Sequence, residues 1–78
     1  MIIKVVQVRD VAIIKVEELQ PCADVLTFKA GRELEICGMR YELSDDLGEF
    51  KRGLLILGGV PFFVECNEER LCIAARAK

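Results

Sequence analysis

Hydrophobic positions along this chain fall into short β-branched runs and two-residue alternations, divided by polar or glycine-bearing breaks. The most apolar run is LLILGGVPFFVEC, from Leu54 to Cys66. Leu54 to Leu57 and Val60 to Val64 are rich in branched and aromatic side chains, which suit a pleated, half-buried surface. Between them Gly58-Gly59 can take the positive φ angles of a two-residue hairpin turn, so the run reads as two strands folded back on each other. Pro61 has no N–H to give to a ladder. Val60–Cys66 is therefore expected either at a sheet edge or paired on one side only near its start.

The rest of the chain follows the same pattern. Ile2 to Val8 and Val11 to Val16 are β-branched segments around Arg9-Asp10, stiff on a helix and favoured on a sheet, and they predict a hairpin or one long bent strand. Cys22 to Phe28 reads as a strand or a short helical turn, ended by Gly31. Glu33 to Leu43 alternates, with Leu34 and Ile36 on even positions and Tyr41 and Leu43 on odd ones. A β-bulge at Gly38 is the simplest device that keeps both pairs inward, and a tight turn at Cys37-Gly38 is the other. Ser44 to Gly53 is polar and reads as a loop or a single helical turn. Residues 67 to 78 carry helix signals, with Asn67 as a cap, Glu68 and Glu69 in the first turn and Arg76 and Lys78 at the end. The short run Leu71 to Ala74 equally suits a strand returning along Phe62–Cys66, and that is the preferred reading.

These elements predict a mainly β fold: a small antiparallel β-barrel or roll of five to six strands, with a short C-terminal helix as its α+β variant. The 78 residues make one domain, 1–78. A chain this short hides only about 60% of its unfolded surface, yet 53% of its residues are hydrophobic. The expected outlet for the excess is association, either between copies or with a protein partner. Phe62 and Phe63 are neighbours on a strand and point to opposite faces, so at most one fills the core, and the other is either covered by the loop or helix or exposed as an interface anchor. Phe50 and Tyr41 are candidates to extend that patch, and equally candidates for the core.

A net charge of −2, with basic and acidic residues interspersed, argues against affinity for a phosphate backbone. Every apolar run is interrupted by charge before it could cross a bilayer, and MIIKVVQVRD reads as a first strand, so a cytoplasmic location is expected. The chain contains no histidine, which removes the commonest general base and metal ligand, and its few hydroxyls sit in no nucleophile elbow. It is expected not to be an enzyme and to need no cofactor. Asp45 and Asp46 are a carboxylate pair, more simply read as a solvated turn. The four cysteines, Cys22, Cys37, Cys66 and Cys72, lack the close pairing of a zinc knuckle. Three readings of them remain. Free buried thiols are preferred, disulfides linking Cys66 with Cys72 and Cys22 with Cys37 come next, and a cysteine-based metal or redox site is the third.

FKAGRELEICG and LLILGGVPFFVEC together resemble the Sm-like fold, whose strands carry a turn of lysine, small residue, glycine, arginine, acid and leucine, and later a leucine-isoleucine strand broken by glycine. The resemblance implies a ring-forming small β-barrel associated with RNA, with Lys29 and Arg32 as its first basic contacts. It stands as the alternative to the leading expectation, an assembly or accessory protein that works through protein contacts and self-association.

Overall fold

The computed structural model describes residues 2–3, 5–8, 11–44, 46–47 and 50–77, with side chains from Val11 onward. The described residues form nine strands and no helix: β1 (Ile2–Ile3), β2 (Val5–Val8), β3 (Val11–Val16), β4 (Val25–Lys29), β5 (Glu33–Ile36), β6 (Met39–Leu43), β7 (Arg52–Leu57), β8 (Val60–Cys66) and β9 (Leu71–Arg76). They make a six-stranded sheet in the order β2-β3-β7-β8-β9-β4 and a three-stranded sheet in the order β1-β6-β5. The mainly β expectation holds, with three corrections. There are more than five to six strands, the C-terminal helix variant is replaced by β9, and the pairing is mixed. β3 runs parallel to β7, and β1 parallel to β6. The parallel seam arises because β4, β5 and β6 all lie between β3 and β7 in the chain, and this long excursion brings β7 back in the same direction as β3.

The central hairpin pairs Leu57 with Val60 and Leu55 with Phe62. Gly58 and Gly59 turn it with φ of 54° and 86°, both left-handed, as a turn matched to strand twist requires. Pro61 resolves its ambiguity through the second option. β8 is an interior strand, but its ladder with β9 begins only at Phe62, so the missing N–H falls where no partner needs it. The segment Glu33 to Leu43 is two strands and not one bulged strand. Cys37 (φ 53°) and Gly38 (φ 76°) form a tight turn, and the two-residue loop shifts the phase from even to odd. Val8 pairs with Val11 as the first hairpin requires; its turn residues Arg9 and Asp10 lie outside the described residues.

One apolar core lies between the two sheets. The large sheet contributes alternate residues, among them Ile14, Leu55, Leu57, Phe62, Val64 and Phe28, and the small one Leu34, Ile36, Tyr41 and Leu43. The polar stretch after β6 also reaches in. Leu47 and Phe50 are buried, with Leu47 N–H donating to the Gly31 carbonyl (3.3 Å) and Phe50 N–H to that of Leu47 (2.9 Å). The Phe50 ring occupies the place a side chain at Gly53 would take, 2.6 Å from an added Cβ. Glycine at 53 is thus the residue that lets this aromatic plug seat on the sheet.

Both disulfides are present, and no cysteine is free among the described residues. Cys22–Cys37 ties the connection after β3 to the β5–β6 turn, and Cys66–Cys72 links residues directly opposite on β8 and β9. The preference for free thiols is therefore corrected. Cys37 and Cys72 do sit beside apolar neighbours, but register and turn geometry bring each to within bonding reach of a second sulfur: Cα atoms are 5.8 and 4.0 Å apart.

Candidate functional site

The site begins with the alternation of β8. Phe62 and Val64 point into the core while Phe63 and Glu65 point away from it, on the side of the large sheet that no second layer of described residues covers. Register then decides what stands beside Phe63. Ile13 pairs with Leu54, Leu54 with Phe63, Phe63 with Ala75 and Ala75 with Val25, so a single apolar row crosses five strands. The adjacent row runs Val11, Arg52, Glu65, Ile73 and Thr27. Phe63 stands as a ridge between two shallow apolar hollows. One is bounded by Val11, Ile13 and Leu54, the other by Leu71, Ile73 and Ala75.

The electrostatics of this face are sparse. Arg52 and Glu65 are directly opposite on β7 and β8, both exposed, and neither side chain finds a charged partner among the described residues. Of the ion pairs that do form, Lys15 with Glu17 (2.9 Å) stands at one end of this face, since Lys15 follows Val11 and Ile13 on the exposed side of β3, while Arg76 with Asp24 (3.4 Å), Arg70 with Asp46 (3.8 Å) and Arg40 with Glu35 (3.9 Å) involve residues outside the two rows. Glu17 is displaced from its ordinary pKa, downward, because Lys15 donates a hydrogen bond to its carboxylate and adds an attractive charge. No polar or charged side chain is buried among the described residues.

The other residues singled out from the sequence scatter. Phe62, Phe50 and Tyr41 are core residues, 0%, 2% and 7% exposed, and none can extend a surface patch; Phe63 is the one of the four aromatic candidates that is exposed. Lys29 and Arg32 are exposed, but Lys29 shares its hollow with Glu33, Glu68 and Glu69, which offset its attraction for phosphate. Cys22, Cys37, Cys66 and Cys72 are bonded in pairs, and sulfurs so bonded are not the thiolates a metal would require. Asp46 is exposed and paired with Arg70, while Asp45 lies outside the described residues.

Sequence reasoning named Phe63 but missed Ile13, Leu54 and Ile73 beside it. Each is an ordinary strand residue, and only the parallel register of β3 on β7 brings Ile13 into the row. It read Asn67 as a helix cap; the residue instead shapes the β8–β9 loop, where Asn67 Oδ1 accepts the N–H groups of Glu69 (2.9 Å) and Leu71 (3.0 Å) beside Arg70 at φ 66°. An asparagine four residues before the next apolar run is the signal that could have marked that turn. No family model, no curated protein and no solved structure matches the chain.

Proposed function

We propose that this chain is an assembly or accessory protein that acts through protein contacts and self-association, not through catalysis, and that its contact surface is the outer face of the large sheet around Phe63. The observation that carries this reading is the apolar row Ile13, Leu54, Phe63, Ala75 and Val25, on the side opposite the core. Soluble monomers seldom leave a continuous apolar band across a sheet, and such bands mark contact sites. The aromatic at its centre is of the type that dominates binding energy at interfaces.

Two finer points belong to the same reading. On this reading the architecture is a roll in place of a closed barrel. β1 and β2 feed the two sheets from one N-terminal segment, and β4 packs beside β5 at the other end, although no ladder joins them among the described residues. The two disulfides support a working environment that is oxidising, in place of the cytoplasm expected from the sequence.

The test is a pair of adjacent substitutions. Phe63→Ser should leave the fold intact by circular dichroism and abolish self-association in sedimentation velocity, whereas Phe62→Ser should unfold the domain. Equal, severe destabilisation by both would end the proposal, because Phe63 would then be a packing residue.

A further inference from the structure

We infer that the occupant of this outer face is a second copy of the same chain, packed sheet against sheet about a two-fold axis that lies between β7 and β8 and runs along them. The inference rests on the contact surface proposed above and adds its partner and geometry.

The strand order carries the first part. The sheet reads β2-β3-β7 on one side and β8-β9-β4 on the other, so the line between β7 and β8 is its midline, with three strands on each side. A two-fold axis along that line, in the plane of contact, lays β7 of one copy over β8 of the other and keeps the strands of the two sheets aligned. Aligned packing, with an offset of about 30° and a separation of about 10 Å, is a standard solution for two apolar sheet faces. Closed two-fold pairing is also the commonest way in which a chain meets itself.

The side chains carry the second part. The axis places position 52 over position 65 of the other copy, because the two are directly opposite across β7 and β8. Arg52 then meets the partner's Glu65, and Glu65 the partner's Arg52, so two charges without ion pairs among the described residues of the single chain acquire two. The neighbouring row behaves in the same way. Leu54 lies over the partner's Phe63, and Ile13 over the partner's Ala75, a large residue against a small one. Val11 lies over the partner's Ile73. The Phe63 ridge faces the hollow bounded by Val11, Ile13 and Leu54, so the surface is complementary to itself in shape as well as in charge.

The area suffices. Val11, Ile13, Val25, Phe63, Leu71 and Ile73 are between 37% and 64% exposed. On side chains of about 150 to 200 Å² each, that leaves on the order of 600 Å² of apolar surface open. With the flanking Arg52, Glu65, Leu54 and Ile56 it approaches the roughly 800 Å² per partner of a stable interface. A net charge of −2 per copy adds little repulsion against it.

The decisive experiment exchanges the charges. Arg52→Glu alone sets carboxylate against carboxylate at both symmetry-related contacts, and Glu65→Arg alone sets guanidinium against guanidinium at both. Each variant should keep its fold and weaken self-association by about tenfold or more in analytical ultracentrifugation. Mixed one to one, the two variants should form a heterodimer of wild-type strength, because every contact between positions 52 and 65 then joins opposite charges. If the wild type associates and Phe63→Ser abolishes it, but the mixture stays dissociated, the axis is wrong and the contact surface stands. Association that survives Phe63→Ser would remove the surface and the axis together. A wild type that remains monomeric at about 100 μM, where an interface of this size is populated, would overturn the second copy as occupant.

Discussion

The two faces of the six-stranded sheet share the same apolar residue types, and those residues behave differently on each. On the inner face Ile14, Leu55, Phe62, Val64 and Ala74 are shut off from solvent; on the outer face Ile13, Leu54, Phe63 and Ala75, one residue away along the same strands, are not. What separates these apolar residues is cover: the inner face has the small sheet, Leu47 and Phe50 packed onto it, and both staples tie its surroundings together, whereas the outer face has only polar side chains, Lys15, Thr27, Lys29, Arg52 and Glu65, standing among its apolar ones. A strand period of two therefore makes two apolar surfaces from one run, and only the first is covered by described residues of the same chain.

The largest expected break in this comparison is at the adjacent phenylalanines. Phe62→Ser removes a ring that is fully enclosed and buries a hydroxyl, a loss on the order of 4 kcal/mol, which is most of a small domain's stability. Phe63→Ser should shift the same urea-melt midpoint of the single chain only marginally. Reduction comes next. Cys22–Cys37 spans 15 residues and Cys66–Cys72 spans 6, so chain-entropy arguments assign them about 3 and about 2 kcal/mol. Melts with and without a phosphine reductant should show that loss. A smaller effect is expected at Gly53. Gly53→Val drives new atoms into the Phe50 ring and the Ala12 carbonyl and should cost about 1 to 3 kcal/mol in urea titration, while Ile73→Thr on the outer face should stay within about 0.5 kcal/mol. The smallest concerns Glu17. Its folded-state pKa lies below the ordinary carboxylate range, so the Lys15 pair stabilises the fold above that range and the contribution disappears as pH falls through the lowered value. Both partners are exposed and screened, so Glu17→Gln should leave thermal melts at pH 7 unchanged.

What was legible in the sequence was whatever is local. Gly58-Gly59 announced a hairpin, Pro61 announced where the second ladder could not start, and adjacent Phe62 and Phe63 announced opposite faces. The Cys37-Gly38 turn was visible but not decidable, because a bulge and a two-residue loop produce the same slip of phase, and a non-glycine residue at φ 53° is the rarer choice. The parallel seam was not legible at all: β3 carries no mark that its neighbour is β7 and not β4, since both are branched and apolar. The outer row was hidden for the same reason, as it exists only once registers across four ladders are known. Leu47 and Phe50 were masked by the acids and glycines around them, and a polar average concealed two plugs. The cysteines were misjudged because spacing along the chain says little about distance across a turn.

The parallel seam between β3 and β7 also sets a timetable. β7, β8 and β9 are joined by loops of two and four residues, and they can meet while the rest of the chain is still searching. β3 can meet β7 only after residues 17 to 51 have been gathered into the crossover, and closing so long an excursion carries an entropic penalty before any contact repays it. The C-terminal meander thus waits with one edge of β7 open. A full-length chain refolding from the denatured state is open to mispairing there, in the interval before its own first hairpin docks to close the sheet.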